Sequence, residues 1–174
     1  MKAAARPPFL FLCTMAFQTR KIYTLEDAAV AIERYCAYQE RCQQEVKRKL
    51  FELGMHGAAA DELLSKAISE KWVNEDRFAQ AYAGGKFRSC GWGKNKIQQG
   101  LLHKGVNGLL MERALASLDE EEYAQKATQL VLKKWEEFKK LSQKLRWQKT
   151  AVAIQTKGFE KSWMRVIQVE NENE

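Results

Sequence analysis

Few residues in this chain are equipped for covalent chemistry. Its 174 residues include two histidines, His56 and His103, and four cysteines, Cys13, Cys36, Cys42 and Cys90. No two cysteines have the CxxC spacing, so the sequence gives no zinc ligand set. The thiols are too sparse for a disulfide scaffold and read as reduced, cytosolic cysteines. Cys90 stands between Arg88 and Lys94, where positive charge would favour a thiolate. Neither histidine offers it an evident partner, so an inert thiol is the better reading. The acidic run Asp119 to Glu122 falls where a helix begins, and complementing the helix dipole accounts for it. The stretch "AGGKFRSCGWGK" lacks the strand and the spacing of a P-loop. The pattern points to no catalytic residue, no cofactor and no metal, and so to a protein that binds without catalysing.

What remains is basic. Lys and Arg together number 29 against 22 Asp and Glu, a net charge of +7. That balance favours an acidic partner: nucleic acid, an anionic membrane or an acidic protein face. The middle of the chain carries Lys86, Arg88, Lys94, Lys96 and Lys104, with Phe87 and Trp92 interleaved. A second series follows in Lys133, Lys134, Lys139, Lys140, Lys144, Arg146 and Lys149. Cations alternating with aromatics suit a phosphate backbone and its bases. Taken singly, each lysine is explained by a solvated helix face, and Lys104 and Lys157 by the preference of cations for helix C-termini. Taken as a group, "FRSCGWGK" reads as a contact surface. There Gly91 and Gly93 would let a partner's backbone or phosphate come close. Trp92, between two glycines, is expected to be partly exposed, whereas Trp135 and Trp163 lie on apolar stripes and belong to the core.

The elements that must hold these residues are helical. Ala, Leu, Lys, Glu and Gln dominate, and no long alternating β-branched run occurs. Thr24 caps a first helix that ends near Glu40 and turns Ala28, Ile32, Tyr35 and Cys36 to one side. A second runs from Gln43 to Leu53, and a third from Ala58 to Glu70 with Leu63, Leu64, Ala67 and Ile68 inward. Asn74 caps a helix over Glu75 to Ser89. Another starts at Lys94 and stops at Gly105. The next spans Gly108 to Leu118 and buries Leu110, Met111, Ala114 and Leu118. Asp119 caps a long helix to Lys140, Ser142 caps one that buries Leu145, Ala151 and Ile154, and a last runs from Glu160 to Val169. The polar tail "ENENE" frays.

Three of these junctions look alike: Gly54-Met55, Gly105-Val106 and Gly158-Phe159 recur at intervals of about fifty residues. With each glycine set to zero, position minus four is Leu50, Leu101 and Ile154, and position minus eight is Val46, Ile97 and Thr150. Position plus one is Met55, Val106 and Phe159, and plus nine is Leu63, Ala114 and Ile167. All are apolar except Thr150. The fold class is therefore all-α, with three tandem three-helix units in residues 24–73, 74–118 and 119–174. Residues 1–23 are expected to be a flexible or mis-assigned extension. Its apolar run, Phe9 to Phe17 behind Lys2 and Arg6, loosely resembles a signal peptide and is too short and broken to span a membrane. Met15 is the preferred start.

The order of motifs resembles the RecX regulatory proteins, modulators of the bacterial recombinase RecA. The resemblance is carried by "RCQQEVKRKL", "VNEDRFAQAY" and "FRSCGWGKNKIQQGLLHKGV". Asp76, Arg77, Phe78, Ala79, Arg88, Gly91, Gly93, Ile97, Leu101, Lys104 and Gly105 fit the central pattern of that family in order. The third unit matches more loosely, through Lys133-Lys134-Trp135 and Lys157-Gly158-Phe159. Two positions depart from it: Cys42 stands where a capping Ser is usual, and Gly100 replaces Glu or Gln. The resemblance implies an elongated, curved array that binds along the RecA–DNA filament and suppresses strand exchange, ATP hydrolysis and co-protease activity. It implies a cytoplasmic monomer, no membrane partner and weak direct DNA contact, with Lys86, Arg88, Trp92, Lys94, Lys96 and Lys104 as candidate contacts. The alternative is a nucleic-acid-binding helical protein for which RecA is incidental.

Overall fold

Thr24 accepts a hydrogen bond from the Asp27 amide at 3.1 Å while the Asp27 carboxylate accepts from the Thr24 amide at 3.3 Å. This reciprocal capping box satisfies two of the donors a helix start leaves open. It opens α1 (Leu25–Tyr38), the first helix of a computed structural model that describes residues 23–167. The extension before residue 23, the alternative start at Met15 and the polar tail lie outside the described residues. The helices that follow are α2 (Gln43–Glu52), α3 (Ala58–Ser69), α4 (Glu75–Cys90), α5 (Lys94–His103), α6 (Gly108–Ala116), α7 (Glu120–Glu137) and α8 (Gln143–Lys157), then a 3-10 turn over Lys161–Met164. No strand occurs among the described residues.

Helix contacts sort into triplets. α1, α2 and α3 pack on one another, as do α4, α5 and α6, and as do α7, α8 and the 3-10 turn. Asn74 and Asp119 cap α4 and α7 as their types require, accepting from the Arg77 and Glu122 amides at 2.9 and 2.6 Å. Gly54, Gly105 and Gly158 have φ of +85°, +78° and +90°, a left-handed turn that glycine takes without a Cβ clash. The repeat register holds in three dimensions. Eleven of the twelve aligned side chains are buried, including Thr150 at 0% exposure, and Met55 is half-buried.

Several expectations are corrected. α1 stops at Tyr38, two residues early, because Gln39 is extended and Glu40 turns away to meet Arg77. α6 ends at Ala116 and α7 at Glu137, short of Leu118 and Lys140. Ile68 is 42% exposed, since Leu63, Leu64 and Ala67 already fill the face toward α1 and α2. Leu145, in the first turn of α8, is 40% exposed. Leu110 and Met111 pack against the core only half-buried, as do Trp135 and Trp163. The last helix begins as a 3-10 turn, and its expected end at Val169 lies outside the described residues.

The cores do not follow the repeat one to one. The first unit has its own apolar cluster around Ile32, Val46, Leu50 and Leu64. The second and third share a single cluster that runs from Phe78 through Phe87, Ile97 and Tyr123 to Ile154 and Phe159. Cys42 belongs to this second cluster although it precedes α2. It occupies the N-cap position with no side-chain hydrogen bond, is fully buried, and burial raises its thiol above the usual range. The departure from a capping Ser therefore trades a cap for an apolar plug between units.

Candidate binding surface around the glycine-rich loop

The loop between α4 and α5 is built from its backbone outward. Gly91 ends α4 in the left-handed region at φ +61°, and the Trp92 amide donates to the Lys86 carbonyl at 3.2 Å. Gly93 then takes an extended conformation and starts α5. Its amide donates to the Lys157 carbonyl at 2.8 Å, and the Asn95 amide donates to the Gly158 carbonyl at 3.0 Å. A Cβ on Gly93 would lie 2.5 Å from the Phe159 nitrogen and nearer still to the Gly158 carbonyl carbon and oxygen. A Cβ on Gly158 would lie 2.5 Å from the Lys96 nitrogen. The close approach that Gly93 permits is thus made by this chain's own third unit.

The loop cations divide by what they touch. The Lys94 ammonium pairs with Glu120 at 2.5 Å and sits 4.7 Å from the Tyr123 ring centre, while the Lys94 amide donates to the Tyr123 hydroxyl at 3.1 Å. That hydroxyl donates to Glu160 at 3.0 Å, and the Trp163 indole donates to the same carboxylate oxygen at 3.0 Å. Phe87 and Phe159 flank the Tyr123 ring at 5.8 and 5.1 Å. Burial, and then the Glu160 carboxylate, push the Tyr123 phenol well above its ordinary range, against the opposing Lys94 amide. The Lys96 ammonium donates to the Thr156 carbonyl at 3.1 Å. Lys94 and Lys96 therefore join the second unit to the third. Lys86 and Lys96 bracket the Trp92 ring at 5.1 and 5.0 Å, and Trp92 is half-buried. Arg88 is exposed and makes no ion pair among the described residues.

Lys104 lies at the other junction. Its ammonium donates to Glu45 at 2.7 Å, and Glu45 is 9% exposed. Arg77 grips Glu40 with two nitrogens, at 2.9 and 3.2 Å, and donates to the Lys71 carbonyl at 3.0 Å. Its neighbour Asp76 accepts from Gln80 at 3.0 Å, and Phe78, Ala79, Ile97 and Leu101 are buried. Lys86 and Lys104 line one cleft of about 450 Å³ between the first two units, together with Glu40, Glu45, Tyr82 and Ser89. Gly100 abuts Tyr82, whose ring carbon Cζ would be 3.0 Å from an added Cβ, so its departure from the family pattern marks a close α4–α5 contact.

A second depression, of about 480 Å³, opens beside Gly91 on α7. Lys126, Lys133, Lys134 and Lys157 rim it, and Leu130 and Phe159 form its floor. Lys126 went unnoticed in the sequence. Its signal was the spacing 126, 130, 133, 134, one face of α7, which joins Lys157 only once α8 folds back. Among the described residues no helix is long and apolar enough to cross a membrane, and no group of His, Cys, Asp and Glu is placed to hold a metal.

Comparison with known proteins agrees with the geometry. Residues 74–115, which run from the N-cap of α4 to within one residue of the end of α6, match the family model described as RecX, second three-helix domain. A regulatory protein RecX of Oceanobacillus iheyensis is 28% identical over 144 residues, covering 83% of this chain and 53% of that protein. One from Leuconostoc mesenteroides is 31% identical over 116 residues, covering 67% of this chain and 43% of its own length. The chain thus spans about half the length of these relatives. The crystal structure of RecX from Lactobacillus salivarius superposes with a TM-score of 0.73 at 25% identity, over 83% of this chain and 94% of that one. Motif order, the three-helix plan and these likenesses converge: the chain belongs to the RecX family.

Proposed function

We propose that this chain is a regulatory protein that binds the RecA–DNA filament and restrains the recombinase, ATPase and co-protease activities of RecA, so modulating DNA repair and the SOS response. One observation carries the reading. The residues from Asp76 to Gly105 that resemble the family fold into the three-helix unit that matches its second domain. The relatives named above are regulatory proteins. Three linked units, taken as 24–73, 74–118 and 119–174, can each make weak contacts that add through effective concentration. A monomer in the cytoplasm would suffice for this.

Among the candidate contacts, Arg88 is exposed and Lys86 lies over the half-buried Trp92, whereas Lys94, Lys96 and Lys104 hold the units in place. The test is a titration of this protein into the single-strand-dependent ATPase of RecA, with strand exchange read in parallel. A dose-dependent fall in both is expected, and unchanged rates at excess protein overturn the reading. Arg88→Glu should weaken inhibition with the circular dichroism spectrum unaltered. Lys94→Glu would break the joint between units and is no test of contact.

A second reading, direct nucleic-acid binding, is favoured by a specific observation. Lys133, Lys140, Lys144 and Lys149 make no ion pair among the described residues. Fluorescence anisotropy on single-stranded DNA without RecA, at two salt concentrations, separates the two. Tight binding that falls steeply with salt favours this second reading.

A further inference from the structure

The depression on α7 has a composition unlike the rest of the surface. Lys126, Lys133 and Lys134 project from one face of α7, and Lys157 closes the rim from the last turn of α8. Among the described residues no carboxylate lines it. Lys126 is half-engaged, paired with Glu122 at 2.8 Å and lying 4.1 Å from the Phe87 ring centre, and Lys134 pairs with Glu137 at 2.7 Å. Lys133 and Lys157 are exposed and make no ion pair among the described residues. Leu130 offers a half-buried aliphatic surface between them.

We propose that this groove docks an acidic segment of a protein partner, with carboxylates on the lysine rim and an apolar side chain against Leu130. The proposal rests on the regulatory reading above and names the kind of partner surface it would meet. Three observations favour a peptide over a nucleic-acid strand. The floor is apolar, and its one aromatic, Phe159, is 2% exposed and cannot stack on a base. The nearest loop indole, Trp92, is already bracketed by Lys86 and Lys96. A volume of about 480 Å³ suits an anchor residue, since ligand depressions of this kind are apolar with a few placed charges. The two unpaired cations of the rim, Lys133 and Lys157, also repel basic partners and speed the encounter with acidic ones.

The test uses the whole protein and a short fluorescein-labelled peptide with Asp and Glu on both sides of a Leu-Phe pair. Anisotropy should show saturable binding. Lys133→Glu with Lys157→Glu should weaken it by about tenfold or more, since both free rim charges are reversed. Leu130→Gln should weaken it about threefold or more by removing the floor contact, with the helical circular dichroism kept in each variant. A polyglutamate of equal charge should bind more weakly than the anchored peptide. Equal binding of polyglutamate, retained binding in the double variant, or displacement of the peptide by a dT oligonucleotide would each overturn the groove assignment. The RecA ATPase assay is run on the same samples. Peptide binding without ATPase inhibition sinks the regulatory reading alone. ATPase inhibition without peptide binding sinks only the groove.

Discussion

The seam between the second and third units can be tested with one methyl group. Gly93 has φ −79° and ψ 167°, which alanine adopts freely. By backbone entropy alone Gly93→Ala should stabilise by about 0.4–1 kcal/mol. The structure predicts the opposite. The new Cβ would meet the Phe159 nitrogen at 2.5 Å, where ordinary contact begins at 3.4 Å, and the obstacle is backbone and cannot rotate away. The units must part by about an ångström, which strains the core at a typical cost of about 1–3 kcal/mol. Parting also weakens the Gly93-to-Lys157 and Asn95-to-Gly158 hydrogen bonds, each worth about 0.5–1.5 kcal/mol. Set against the entropic gain, the expected net loss is about 2–3 kcal/mol. At roughly 2–4 °C per kcal/mol for a chain of this size, the midpoint falls by about 4–12 °C. Thermal unfolding followed by circular dichroism reads the midpoint, and urea unfolding followed by tryptophan fluorescence reads the free-energy loss. The control is Gly85→Ala in α4, where a Cβ meets nothing within 4 Å, and which should gain about 0.5–1 kcal/mol. If Gly93→Ala matches the control, the seam is not tight and the shared core is misread.

The other predictions are simpler. Thr150 is fully buried and its hydroxyl has no hydrogen-bond partner among the described residues, so Thr150→Val should raise stability by about 1 kcal/mol in urea unfolding; a loss would show that the hydroxyl is bonded. Gly105→Val places a β-branched residue at φ +78° and should cost about 1–2 kcal/mol; an unchanged melting curve would remove the helix stop proposed there. Because burial raises the Tyr123 phenol above its ordinary range, the folded state holds that proton more tightly than the unfolded chain. The stability it contributes is complete below about pH 10 and is lost as pH climbs above it. Tyr123→Phe should lower stability at neutral pH, where its bonds to Lys94 and Glu160 are gone, and flatten the alkaline decline. An equally steep decline in the variant would assign it to other groups.

Much of the fold was legible because its signals are local. Thr24, Asn74 and Asp119 announce helix starts through their own side chains, and Gly54, Gly105 and Gly158 announce stops through their backbone. The apolar period of each helix does the same for the core. What stayed hidden depends on residues far apart in the chain. In the sequence Gly93 looks like an opening for a partner, whereas its neighbour is Gly158 across a seam no spacing rule predicts. Lys94 and Lys96 look like free cations until Glu120 and the Thr156 carbonyl are placed beside them. Thr150 broke the apolar register in the sequence, but a position is buried by its neighbours whatever its own polarity. Lys126 and Lys157 could be joined in one groove only after α7 and α8 packed.

The two joints of the array are built from different physics. Between the second and third units, aromatic rings, two glycines and main-chain hydrogen bonds make a continuous core. Salt screens such contacts little, and they fix the angle between units closely. Between the first and second units the ties are Arg77 on Glu40, Lys104 on Glu45 and the Cys42 plug. Arg77 and Glu40 are 46% and 33% exposed, so that pair holds geometry with little net energy and weakens as ionic strength rises. Glu45 differs. Its buried carboxylate accepts from Lys104 through one oxygen at 2.7 Å, and the other, with no hydrogen bond among the described residues, lies 3.8 Å from the Arg41 guanidinium. Loss of that lysine would leave a buried carboxylate with only the longer Arg41 ion pair to compensate it. The same repeat unit therefore yields a rigid pair and a charge-held joint, and the difference lies in which side chains meet at the junctions.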